Sequence, residues 1–288
     1  MKNATKIIII IFLLLMIIGG ILMVMFPVLS TMYYEQHHSE IVVAYDRGVQ
    51  EKDTSEIERI LAEAQAYNEA LFRGDILPTE FADNGYFDLL NPSGNGLIGY
   101  IEIPCINVKV PFYHGVSEDV LQKGAGHMPP TSLPVGGSNT HATISAHSGM
   151  ASMPMFTDLE LMRIGDIFYI HVLGETLCYQ VEYMNDRVDP DDVSDLQIQR
   201  GRDLVTLVTC TPVGVNTHRL IVRGVRTELP TQEVVTDTAD TPEVQKEESV
   251  FYTMYLDGLL ISLQLSLIPL SLTVIAIVII RHRRKKAK

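Results

Sequence analysis

The chain begins and ends on hydrocarbon and alternates in between. Ile7 to Leu29 is apolar apart from Gly19, Gly20 and Pro27, and at roughly 20 residues it has the length of a bilayer span. Gly258 to Ile280 is a second such stretch. Between them the period changes twice. Ser39 to Phe72 is helical in composition, and within Glu56–Leu71 the apolar or aromatic residues at 57, 60, 61, 64, 67 and 71 share one helical face, with Thr54 or Ser55 as a candidate cap. Residues 74–96 are rich in turn formers, among them Pro78, Asn84, Gly85, Pro92, Gly94 and Gly96. From Leu97 short β-branched runs take over, at 99–103, 108–112, 142–145, 167–173, 176–183, 204–209 and 220–225, with Gly, Pro and Asn between them. Leu173-Gly-Glu-Thr176 reads as a hairpin turn. Seven or eight short strands in about 130 residues predict a closed barrel or a sandwich.

The resulting division is a tail at 1–6, a transmembrane helix at 7–29, a helical and loop region at 30–96, a β domain at 97–228, a flexible acidic linker at 229–257, a transmembrane helix at 258–280 and a basic tail at 281–288. The linker reading rests on a Thr-, Pro- and acid-rich stretch with few large apolar groups. A cleaved signal peptide is the competing reading of the first span, because Lys2 and Lys6 supply a basic leader. Its apolar core is too long, however, and Ser30-Thr-Met-Tyr-Tyr34 offers no small-x-small cleavage site. Arg281-His-Arg-Arg-Lys-Lys-Ala-Lys288 places the other end inside by the positive-inside rule. The expected arrangement is a two-pass protein of the cell membrane, in contact with lipid, with both termini cytoplasmic and the β domain extracellular.

Charge fits that arrangement. Eight of the 22 basic residues sit in the two tails, leaving 14 against 35 acidic residues outside, a net of −21. Such a surface argues against nucleic acid as a partner. Three cysteines do not make a disulfide framework. Cys105 and Cys178 could pair, but each lies in a strand-like apolar context and reads better as a small core residue. Cys210 stands apart.

Thr206-Leu-Val-Thr-Cys210-Thr-Pro-Val-Gly-Val-Asn-Thr-His-Arg219-Leu reads as strand, turn, strand, with turn chemistry at Pro212, Gly214 and Asn216. Such a hairpin brings Cys210 close to Arg219, and a guanidinium beside a thiol favours the nucleophilic thiolate. A histidine would complete the set. His37, His38 and His282 lie near the membrane or in the tail, His171 alternates within a strand, and His218 points away from its neighbour Arg219. His114, His127 and His141 lie in loop-like segments and remain open. His147 is the most suggestive, because Thr143-Ile-Ser-Ala-His-Ser-Gly149 is a strand running into a Gly turn. No Walker loop, zinc-spaced cluster or dinucleotide fingerprint appears, so neither cofactor nor metal is expected.

These residues resemble the sortase signature. Thr206-Leu-Val-Thr-Cys210 followed by Asn216-Thr-His-Arg219 is similar to the family's Thr-Leu-x-Thr-Cys and downstream Arg, and Ser145-Ala-His147-Ser-Gly149 to its histidine motif. Gly99-Tyr-Ile-Glu-Ile-Pro104 and Thr131-Ser-Leu-Pro134 extend the likeness over roughly Asn68 to Arg226. Cys210-Thr-Pro, the Asn-x-His-Arg form and the second span look like class C, the pilin polymerases. The resemblance implies an eight-stranded β-barrel with N-terminal and short connecting helices. It implies cleavage of Leu-Pro-x-Thr-Gly-type sorting signals between Thr and Gly, with Cys210 as nucleophile, His147 as general acid/base and Arg219 as the cation on the substrate carbonyl. The implied partners are pilin subunits, one of which supplies an acceptor lysine amine. Thr209 either shapes the oxyanion site or packs in its strand. Two alternatives stand beside this: a sortase that anchors proteins to peptidoglycan, and a membrane-tethered assembly module in which Cys210 is only structural. Two features depart from class C. Its Asp-Pro-aromatic lid motif has no counterpart here, since Asp75 and Pro78 are not adjacent and the sole Asp-Pro pair is Asp189-Pro190. Ser148 also stands where an Arg often follows the histidine.

Overall fold

The computed structural model describes residues 2–76, 85–150 and 153–230. Helix α1 (Lys2–Gln50) and helix α2 (Thr54–Arg73) precede eight strands: β1 (Leu97–Ile103), β2 (Val108–His114), β3 (Ala125–His127), β4 (Thr140–Ser145), β5 (Ile167–Val172), β6 (Glu175–Val188), β7 (Asp203–Thr211) and β8 (His218–Thr227). A one-turn helix, α3 (Glu118–Leu121), links β2 to β3. The strands close into a barrel in the order β1-β2-β3-β4-β7-β8-β6-β5. Seven strands fall where alternation predicts them. The eighth, β3, is Ala-Gly-His, with no β-branched residue to announce it. It forms because β2 and β4 flank it: Phe112 pairs with Ala125, and Gly126 with Ser145. At Gly126 an added Cβ would stand 2.2 Å from the Gly115 carbonyl oxygen, so a larger residue cannot take this place.

The interior is a single cluster that includes Ile101, Phe112, Ile144, Phe168, Tyr179, Leu207 and Val222. The predicted turn after β5 is a two-residue one. Leu173 and Gly174 both have positive φ (50° and 81°) between the paired Val172 and Glu175, the geometry of a type I′ hairpin.

Both N-terminal helices grip the barrel through named bonds. Helix α2 buries Ile60, Ala64 and Tyr67 on the expected face. Its Asn68 amide donates to the Leu133 carbonyl at 2.9 Å and accepts the Leu133 amide at 2.7 Å, as a backbone neighbour would. Asp53, rather than Thr54 or Ser55, occupies the N-cap position, with extended backbone and no side-chain capping bond. In α1, Tyr45 donates to Ile98 O at 2.7 Å and accepts Leu173 N–H at 2.9 Å, while Val42 and Val49 pack with Leu97 and Tyr100. His38 is buried and bonds the Lys123 carbonyl at 3.1 Å.

The described side chains from Ile7 to Leu29 are mostly exposed on α1, Ile8 at 66% and Leu15 at 62%. On the described residues alone no helix is long and apolar enough to cross a membrane; the side chains of Val24, Pro27 and Val28, which interrupt this run, are outside that set. The expected second span at 258–280 and nearly all of the linker lie outside the described residues, as does 77–84, the heart of the region compared with the class C lid.

Two expectations are corrected here. His114, His127 and His141 are not loop residues: they end β2, end β3 and lie in β4, and all three are buried. Cys105 is not a core residue. It is exposed in the 3₁₀ turn Pro104–Ile106 after β1, where partial desolvation and then the Asp166 carboxylate push its thiol up to about 11. Cys178 is buried as expected, and both thiols are free.

Candidate active site

The site is a row across three neighbouring strands. Cys210, near the end of β7, pairs directly with Arg219 at the start of β8. Opposed residues of an antiparallel pair project to the same face, so thiol and guanidinium share it. On the other side of β7 runs β4, parallel, with Ser145 paired to Val208. The ladder continues past the strand end, where the Ala146 amide donates to Val208 O at 3.1 Å. The same register sets His147 beside Cys210. The three candidates are thus brought together, with Cys210 in the middle.

Short bonds hold this row. Ser148 Oγ donates to the Cys210 carbonyl at 2.6 Å, and Thr209 Oγ1 donates to the Ala146 carbonyl at 2.7 Å. These two hydroxyls stitch β4 to β7 on either side of the His147–Cys210 level. Thr209 is therefore a packed strand residue whose hydroxyl is already spent on Ala146. The turn after His147 is pinned from below, with Phe156 N–H on His147 O at 3.1 Å and Gly149 N–H on Thr157 Oγ1 at 2.9 Å. Gly149 has φ +73°, and an added Cβ would come within 2.6 Å of Val213 Cγ1 in the β7–β8 loop. Only glycine lets the histidine turn lie against the cysteine loop.

Charge in the row is open to solvent on one side. Cys210 and Arg219 are half-buried. The Arg219 guanidinium bonds the His218 carbonyl at 3.1 Å, and among the described residues no carboxylate pairs with it, so its charge is available to a substrate oxygen. His147 keeps a quarter of its side chain exposed, and its Nε2 lies 3.6 Å from Glu118 Oε1 of α3. Glu118 carries no motif and comes 29 positions before His147, which is why sequence reading passes over it.

A family model for the sortase domain matches residues 101–227. Sortase A of Streptococcus agalactiae is 31% identical over 132 residues, 44% of this chain and 52% of that protein, and sortase D of Bacillus subtilis is 29% identical over 131 residues, covering 63% of its length. The chain thus spans little more than half the length of the curated relatives it matches. Solved structures match more fully. Sortase C1 of S. agalactiae is 42% identical with TM-score 0.62, covering 66% of this chain and 99% of that one. A Clostridium perfringens sortase C solved with the C-terminal cell wall sorting motif is 39% identical with TM-score 0.59, covering 66% and 100%.

The chain belongs to the sortase family, class C. In this sortase four other histidines have structural partners. His141 gives Nδ1–H to Gln197 O at 2.9 Å and accepts the Thr206 hydroxyl on Nε2 at 2.7 Å; the first Thr of the Thr-Leu-x-Thr-Cys motif thus serves a buried histidine. His127 gives Nε2–H to Ser132 O at 2.8 Å and accepts Tyr86 O–H on Nδ1 at 2.7 Å, and burial pushes it down to about 4. His114 bonds Gly96 O at 3.0 Å. His171 stacks on Tyr100 with centroids 4.3 Å apart.

Proposed function

We propose that this sortase is a cysteine transpeptidase that polymerises pilin subunits at the outer face of the cell membrane. The observation that carries the reading is the row His147, Cys210, Arg219 across β4, β7 and β8. The Cys210 thiolate attacks the Thr carbonyl of a Leu-Pro-x-Thr-Gly-type signal, and the tetrahedral oxyanion is stabilised by Arg219 and backbone donors. His147 protonates the departing Gly amine as the C–N bond breaks, leaving a thioester. A lysine amine of another pilin subunit then attacks that thioester, His147 takes up its proton, and an isopeptide bond replaces the C–S bond as the Cys210 thiolate departs. Pilin as the substrate is supported by the class and by a matching Streptococcus pneumoniae sortase C, 41% identical with TM-score 0.58, whose structure bears on pilin substrate specificity. Two-pass anchoring is supported by the exposed apolar face of α1 at Ile7–Leu29 and by the apolar stretch 258–280 with its basic tail.

Replacing Cys210 by Ala tests the chemistry. The expected result is loss of the covalent enzyme–substrate adduct by mass spectrometry, together with loss of high-molecular-weight pilin ladders. An adduct or ladder that survives C210A refutes the reading. Ladders absent from the wild type, alongside surface proteins newly linked to peptidoglycan, would instead identify a cell-wall anchoring enzyme.

A further inference from the structure

The row of three leaves one charged neighbour unassigned. Glu118 Oε1 lies 3.6 Å from His147 Nε2, within ion-pair reach though too long for a hydrogen bond. Two features hold this approach in place. The first is the anchoring of α3. Val120 N–H and Leu121 N–H both bond Ser117 O at 3.0 Å, and Lys123 N–H and Gly124 N–H return to Val120 O at 2.9 and 3.2 Å. Beneath it, Gly126 leaves room for Val120, whose Cγ1 would be 3.2 Å from any added Cβ. The α1 helix closes the far side, with His38 on the Lys123 carbonyl at 3.1 Å. The second feature is the orientation of the carboxylate. Gln122 Nε2 donates to Glu118 Oε1 at 3.1 Å, bonding the same oxygen that faces His147.

We infer that Glu118 is a positioning residue for His147, holding its Nε2 side and so directing Nδ1 toward the proton exchange with the substrate amine. This rests on the proposed transpeptidase reading and extends it. An imidazole rotates about two side-chain bonds, and a general acid works only when one nitrogen is within hydrogen-bond reach of the leaving group. A carboxylate on the opposite nitrogen selects the orientation and stabilises the ring as it takes up the acceptor amine's proton. The groups facing His147 from neighbouring elements are Cys210 on β7, Arg219 on β8 and Glu118 on α3; Asp158 in the 3₁₀ turn beneath is buried. Among the described residues, Glu118 is the carboxylate within ion-pair reach of the ring. Its side chain is 67% exposed, so the pair is weak in the free enzyme, and it strengthens when a bound peptide excludes water from the cleft.

The test is steady-state kinetics of the full chain in detergent micelles on a quenched-fluorescence peptide carrying Leu-Pro-Glu-Thr-Gly, with wild type, E118Q, E118D and C210A. The expected result is a roughly tenfold fall in kcat for E118Q with KM within twofold, recovery of at least a third of the wild-type kcat in E118D, and unchanged melting temperature in both. Gln keeps the shape and a bond to Gln122, so a merely structural role leaves kcat in place. A kcat for E118Q within twofold of wild type, or an equal loss in E118D and E118Q, overturns the assignment of Glu118. An inactive wild type, or turnover by C210A, overturns the transpeptidase reading itself.

Discussion

Two kinds of histidine stand only a few residues apart in this barrel. His127 and His141 are buried, and each has both ring nitrogens bonded to neutral partners. His147 lies just past the end of the strand that holds His141, partly exposed, with a carboxylate near one nitrogen. The first kind is fixed in one tautomer: donor and acceptor are assigned, and a proton has nowhere to come from. The second leaves one side of its ring open to solvent, which suits the proton exchange proposed for it. The difference lies in the partners, since residue type, strand neighbourhood and the face of the sheet do not separate His141 from His147.

The strongest way to break this comparison is to remove the row. His147→Ala should lower kcat by at least about 10³-fold while the melting temperature stays near wild type, the scale on which removal of a positioned acid/base and its thiolate partner acts; a matching loss of stability would show that His147 belongs with the buried kind. Arg219→Lys, which keeps the charge but loses the planar fork, should cost about 10²-fold in kcat, read in the same assay. On the buried side, His127→Gln should leave kcat per folded molecule nearly intact and destabilise the fold by about 2–3 kcal/mol in urea denaturation, because Tyr86 and Ser132 lose a shaped partner.

A pH series sharpens the same contrast. Folded His127 is held down near 4 against an ordinary 6.5, so between those values the unfolded chain takes up a proton that the folded one refuses. The contribution is complete above about pH 6.5, declines as pH falls toward 4, and amounts to at most about 3 kcal/mol. Denaturation midpoints of wild type and H127Q should converge over that window; parallel curves would show that His127 is not the group responsible. The smallest expected effect is that of Arg73→Ala. It breaks an exposed i,i+4 pair with Glu69 and should change stability by less than about 0.5 kcal/mol.

Alternation and motif made much of this readable in advance. Seven strands, the α2 face and the Leu173-Gly174 turn announce themselves because side chains there answer to one local environment. The row is legible for a related reason: Cys210 and Arg219 are joined by a hairpin, and His147 is flagged by a strand running into glycine. What stayed hidden depends on residues distant in sequence. Strand β3 exists because two neighbours pair with it, Thr206 serves a histidine 65 positions away, and Glu118 meets His147 only through the closure of β3 onto β4. His114, His127 and His141 read as loop residues for the same reason, although they lie on β2, β3 and β4. Polar residues read as exposed until the partners that satisfy them are known.

Closure of the sheet has one more consequence. Because β1 pairs with β5 as well as β2, each strand of the barrel has a neighbour on both sides, and a backbone ladder stays open where one strand outruns its partner, as β6 does beyond Gln180, the last residue that pairs with β5. On the proposed reading, a peptide that reaches Cys210 near the end of β7 meets side chains and the loop that joins β7 to β8. Specificity in such a molecule can therefore diverge through its loops while the strands beneath them stay the same.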